Sequence, residues 1–369
     1  MKQIIAVACI VLLCVGLLIY SFADQKSPGE PVAVPVVATP DEPEFTQATE
    51  PTSEPTTDPE ALPEATPDEP QQPPREETVR LTFYNDQPVL QLVFDLLAEE
   101  FFQQTGIRVV TVSSEPNLNG EAPVLFSVGN TAPKWPCLDL SDSVAYANLA
   151  CDCFTLKDGE KVLGIANEVE PFGIMYNTAL LARVGYTGVD IQRFADLKAV
   201  STYITQNTET LGFSAFAKVN QSLLDAIPRN PQQLLELYEA NSAEGEFLKN
   251  SAVFCFGTLT DMEWFSAGGQ LQLEMMPLYS GETDEASQGV HCFVKHYWCV
   301  REDATPEEIQ GALAFLSFLV TPRMDGTVPV DDLCLLAPYR QSIYARNSVQ
   351  QRFRDDVAQG KECIVCEPY

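Results

Sequence analysis

From residue 79 onward the spacing of apolar positions changes period several times. Arg80-Leu81-Thr82-Phe83-Tyr84 is a short β-like run, and Asn85-Asp86-Gln87-Pro88 stops it. Apolar residues then fall at 89, 90, 93, 94, 97, 101 and 102, a helical spacing that closes at Thr105-Gly106. Residues 107–112 return to a strand pattern. Strand, helix and strand within about 30 residues predict a βαβ unit and a mostly parallel sheet. Farther on, 124–128, 161–166, 172–176 and 293–300 read as strands. Helical periodicity covers 232–240 and 307–320, the second opening on an acidic turn behind Thr305-Pro306. No internal repeat is present.

The first 77 residues have another texture. After Met1-Lys2-Gln3, residues 4–23 form an uncharged apolar run that as a helix just crosses a hydrocarbon core of ~30 Å. Lys2 before it and Asp24 after it place the remainder of the chain outside. Three readings fit: a retained signal anchor, a signal peptide cleaved after Ala23, and lipoprotein processing at Cys9. Residues 24–77 hold 13 of the 27 prolines and 14 acids against Lys26 and Arg75. Such a stretch is too poor in apolar side chains to offset its ordering entropy, so it is expected to be a disordered linker.

Charge narrows the function. The chain of 369 residues carries 52 acidic against 22 basic side chains, a net charge of −30, of which about −12 belongs to the linker. No basic stripe occurs, which excludes phosphate-backbone binding and points to a neutral or cationic ligand. With two histidines, His291 and His296, and no Gly-x-Ser-x-Gly elbow, a serine triad has little to work with. Glu168 and Glu170 lie two apart on one strand with carboxyls roughly 7 Å apart, inside the window of an inverting glycosidase. One face of one strand cannot attack a sugar from opposite sides, however, and no catalytic residue is expected.

Several segments, taken in order, resemble the family 1 extracellular solute-binding proteins, the maltose-binding-protein-like receptors of ABC importers. They are Leu81-Thr82-Phe83-Tyr84-Asn85, the run from Phe101-Phe102-Gln103-Gln104 through Thr105-Gly106-Ile107, the hairpin around Asp158-Gly159-Glu160-Lys161, the crossover Glu168-Val169-Glu170-Pro171-Phe172-Gly173, and the helix at 312–321. The resemblance implies an α/β, two-lobed periplasmic-binding-protein-like fold of type II, behind the signal or transmembrane helix (1–23) and the linker (24–77). In residues 78–369 it implies an N-lobe of about 78–167 and 291–322 and a C-lobe of about 168–290 and 323–369. It further implies hinge closure on a carbohydrate, ABC permease subunits as partners, a monomer, and no cofactor or metal. The alternative of a different class is an anchored sensor or interaction module that keeps the fold without transport.

Ligand-binding candidates follow from strand ends and from the resemblance. Glu170 matches the acidic residue the family uses at the crossover to bind a sugar hydroxyl, and a carboxylate accepts two such bonds. Tyr84, Asn85 and Asp86 end the first strand, and Asn130 ends a later one. Alternation along 293–300 points one of Tyr297 and Trp298 into the cleft. Leu259 stands where relatives show tryptophan, so Trp264 is the substitute stacking surface. Residues 217–247 are shorter than is usual in the family. Outside the apolar run stand nine cysteines, an odd number, which leaves free thiols and one or two disulfides both open. Cys363-Ile364-Val365-Cys366 has the spacing of a redox pair or half a zinc site, but Cys151-Asp152-Cys153 and His291-Cys292 have unsuitable spacings for the other half.

Overall fold

The computed structural model describes residues 76–366, apart from 119, 130, 227–231, 244–246, 270, 281, 282 and 285. The apolar run, most of the linker and Asn130 lie outside the described residues. Among the described residues no helix is long and apolar enough to cross a membrane.

β1 (Val79–Tyr84) pairs in parallel with β2 (Ile107–Val112) and β3 (Leu125–Val128), and the helix Gln91–Thr105 connects the first two, so the expected βαβ unit is present. The helix starts later than its periodicity because Pro88–Leu90 forms a tighter 3-10 turn first. It stops where Gly106 takes φ +80° and returns its N–H to the Phe102 carbonyl at 2.8 Å, a conformation that costs glycine little.

β4 (Thr155–Asp158) and β5 (Lys161–Asn177) form the expected hairpin. β5 merges two predicted strands into one of 17 residues. The polar stretch Asn167-Glu168-Val169-Glu170-Pro171 reads as a break, yet its side chains find partners on neighbouring elements and the backbone stays extended. β6 (Ser214–Ala217), β7 (Ser242–Ala243), β8 (Ala252–Thr258) and β9 (Leu273–Pro277) follow. β10 (Tyr279–Ser280) and β11 (Ser287–Gln288) make a separate small ladder. β12 (Val290–Val300) returns antiparallel to β5, and β13 (Cys363–Val365) adds in parallel to β12. Along the main sheet the order is β2-β1-β3-β12-β5-β8-β6-β7, with β4 and β9 on β5 and β13 on β12.

Two large cores lie along this sheet. The first joins β1, β3 and the start of β5 to the helices Gln91–Thr105 and Pro306–Val320, with Phe83, Phe94, Phe126, Trp298 and Phe315 at its centre. Each such buried ring contributes about 1.5–3 kcal/mol through area removed from water. The second gathers Phe172, Leu197, Phe216, Phe254, Phe256 and Tyr279. A smaller cluster forms around Met175, Cys255, Leu259 and Met275. β5 and β12 are the two strands that feed both large cores: Ile165 and Trp298 belong to the first, Phe172 and Phe293 to the second.

The tail packs differently from the expected lobe division. Val328, Leu333, Leu336, Tyr339 and Phe353 sit in the first core, and among the described residues of the tail only Cys366 belongs to the second. The preceding helix Pro306–Val320 already lies on the first core, and the short connection after it keeps the chain there.

Candidate functional site

The site is built where β5 and β12 cross between the cores. The ladder sets Phe293 opposite Glu170 and His296 opposite Glu168, with a register shift between Val294 and His296 at Lys295. Such a bulge re-aims side chains at a strand interior. Lys295 and His296 are the two partly exposed residues of an otherwise buried strand.

Glu170 is 8% exposed and both its oxygens are engaged. Oε2 accepts from Lys295 Nζ at 2.8 Å and Oε1 accepts from the Thr260 backbone N–H at 2.9 Å. Thr260 stands in the first turn of the helix Leu259–Ser266, which Thr258 and Asp261 cap reciprocally, so Glu170 occupies the positive end of that helix. Burial alone would push the Glu170 carboxyl up, but Lys295 and the Thr260 bonds outweigh it and hold it below the usual carboxylate range. Glu168 goes the other way. Burial pushes its carboxyl up, against the hydrogen bond from Gln87 Nε2 at 2.9 Å and the pull of His296 and Lys295.

The turn after β1 completes the cluster. Asn85 is fully buried, donates to the Gln87 carbonyl at 2.8 Å and accepts the Gln87 N–H at 3.1 Å, an Asx-type turn that fixes the two residues after it. Asp86 Oδ2 lies 3.1 Å from His296 Nδ1, which donates to it. A Cβ added at Gly129 would lie 4.0 Å from the same oxygen, so the residue after β3 borders the cluster as well. Asp86 Oδ1 and Gln87 Oε1 are buried with no hydrogen-bond partner among the described residues. A recess of about 320 Å³ opens beside Glu168 and Glu170, lined also by Leu259, Thr260 and Arg346.

The predicted residues divide. Glu170 and Asp86 come together here, whereas Asn85 is spent on the turn and has no exposed surface for a ligand. Tyr84 packs edge-on to Trp135 at 6.2 Å beside the turn. Alternation fails for Tyr297 and Trp298. Both are buried, because β12 is covered on both faces, and Trp298 lies between Phe94 and Tyr339 in the first core, where it cannot stack on a ligand. Leu259 is core, while Trp264 on the same helix is 69% exposed. Gln87, Lys295 and His296 escape the sequence reading, since only the pairing of β5 with β12 brings 295 and 296 to 168 and 170. The two glutamates have pKa values pushed apart, as in an acid and base pair. Glu170, however, is held by two donors, and both side chains come from one strand.

No family model matches the sequence, and no curated protein matches it. Solved structures match along most of the described chain. A family 1 extracellular solute-binding protein from Bifidobacterium longum subsp. infantis aligns with a TM-score of 0.56 at 14% identity, over 79% of this chain and 89% of that one. The cyclic alpha-maltosyl-1,6-maltose binding protein of Arthrobacter globiformis gives 0.58 at 14% identity, over 78% and 88%. The fold is that of the family 1 extracellular solute-binding proteins. Apo RafE from Streptococcus pneumoniae, at 0.58 and 11% identity over 80% and 89%, has it too. Within this family 1 fold, the acidic cluster stands where the chain crosses twice between the two cores.

Proposed function

We propose that the protein is an extracytoplasmic solute receptor that captures a carbohydrate by hinge closure between two lobes and passes it to ABC permease subunits, without bond chemistry of its own. The observation that carries this reading is the pair of unpartnered buried acceptors, Asp86 Oδ1 and Gln87 Oε1, beside Glu168. A buried acceptor without a donor costs about 1–3 kcal/mol, which a sugar hydroxyl or an ammonium donor removes. No free cation is needed in the ligand for this, but an anionic ligand would meet Asp86, Glu168 and Glu170 together. The fold supports the reading, and so does the Arthrobacter globiformis neighbour, a cyclic alpha-maltosyl-1,6-maltose binding protein.

In this proposal the first core marks one lobe and the second core the other, with most of the tail on the first. β5 and β12 are the hinge strands, and Trp264 closes as a stacking face over the ligand. Residues 1–23 direct the chain to the membrane and hold it there or are removed, and 24–77 give reach from the surface. The receptor acts as a monomer. A thermal-shift and intrinsic-fluorescence titration across neutral oligosaccharides tests it. A cognate sugar at a hundredfold its Kd stabilises the fold by about 2.7 kcal/mol. A full panel that shifts neither melting nor tryptophan emission would sink the receptor reading.

A further inference from the structure

Apart from the crossing site, one side-chain cluster stands out. Cys151, Cys153 and Cys363 bring their Sγ atoms within 4.8 Å of one another, and all three are half-buried. They come from chain segments more than 200 residues apart. Cys151 and Cys153 belong to the short 3-10 turn Asp152–Phe154 and its N-cap, just before β4. Cys363 opens β13, which pairs Val290 with Cys363 and Cys292 with Val365.

We propose that this cluster is a three-thiolate site for a thiophilic d10 cation of the Zn2+ class, with a fourth position open to water. Thiolate sulfur is the preferred ligand of such ions, and three protein ligands with one open position is an established zinc arrangement. The sulfurs around a tetrahedral zinc stand about 3.8 Å apart. The Cys151 and Cys153 sulfurs are 2.7 Å apart, so they must open by about 1 Å, a small side-chain rotation on a half-buried turn. The Cys153 N–H already points at Cys151 Sγ at 3.4 Å, the kind of outer hydrogen bond that steadies a metal-bound thiolate. Asp152, between the two, is held away by Tyr146 and Lys157 and is not a ligand. A single disulfide would join two of these sulfurs and strand the third against it, whereas one metal ion takes all three and releases their protons.

The position gives the site a task. Cys363 packs against the first core and Cys366, three residues on, against the second, with its N–H on the Cys292 carbonyl at 2.8 Å. The metal therefore pins the last strand, and through it the crossing strand β12, to the turn before β4.

The test uses the full chain purified under reducing, anaerobic conditions and titrated with Zn2+ against a chromophoric chelator. One ion per chain is expected, with the melting temperature raised on binding, and Cys363→Ser loses at least tenfold in affinity while Cys334→Ser, an exposed thiol outside the cluster, keeps it. Alkylation mapped by mass spectrometry gives a readout independent of variant folding: Zn2+ protects Cys151, Cys153 and Cys363 together. Unchanged alkylation at the three sites, or a Cys363 disulfide to Cys151 or Cys153 in the protein isolated from its own cells, overturns the proposal.

Discussion

The Lys295 ammonium sits 2.8 Å from Glu170 across a register shift in the β5–β12 ladder, where Phe293 faces Glu170. The bulge thus joins the two crossing strands through a charge pair as well as through backbone bonds. Glu170→Ala removes the carboxylate that the Thr260 N–H and Lys295 donate to and is expected to lower stability by about 1–3 kcal/mol, with Glu170→Gln intermediate. The Glu170 carboxyl is held below its ordinary range, so its contribution is complete above the unfolded value of 4.5 and disappears as pH falls through the lowered folded value. Urea unfolding of both variants across acid pH checks this, and an alanine variant as stable as the parent would show that Glu170 is free for ligand alone.

Much of this architecture is readable from the chain. The change from period two to period 3.6 and back at 79–112 suffices for the first βαβ unit, and Glu170 was recognisable as a crossover residue. Alternation misleads on β12 because it assumes one wet face, and a strand covered on both sides has none to mark. Lys295 and His296 were invisible because their role depends on a bulge and on a pairing 125 residues away in the chain. The convergence of Cys363 on Cys151 and Cys153 depends in the same way on where an aperiodic tail returns.

His291 is 3% exposed with Nδ1 unpartnered, and burial pushes its pKa down from 6.5 to about 4. Folding favours the neutral ring, so its stabilising effect is full above pH 6.5 and is lost progressively as pH falls toward 4. Over that window it amounts to about 3 kcal/mol. His291→Phe should flatten the corresponding part of the stability profile measured by urea unfolding, and a slope as steep as the parent's would assign the acid loss to other groups.

Trp264 is largely exposed and touches Phe265 edge-on at 5.3 Å, with little packing to lose. Trp264→Ala is expected to change stability by no more than about 0.5 kcal/mol. Once a cognate sugar is identified, the same variant should bind it at least about tenfold more weakly, or ~1.4 kcal/mol, by calorimetry. Equal affinities would remove Trp264 from the binding surface.

Gly173 lies in β5 between β8 and β9, and a Cβ there would run into the Met276 carbonyl on β9. Gly173→Ala must therefore push two backbones apart and is expected to cost about 1–3 kcal/mol or more. Gly268→Ala, which meets nothing within 4 Å, serves as the control and should be close to neutral. Chemical denaturation of the pair reads the difference directly.

The first core has an order of assembly written into it. Tyr339 stacks on Trp298 at 6.3 Å and donates its hydroxyl to the Ala166 carbonyl, while Phe94 meets Trp298 from the other side. These four residues span 94 to 339 in the chain, so residue 339 must be synthesised before their contacts close. Until then the strands from 79 to 169 have no complete interior to settle into. Loop closure over such distances is slow. The first core thus closes only once residue 339 has been made, and an interval in which its apolar strands stand exposed follows from the path of the chain.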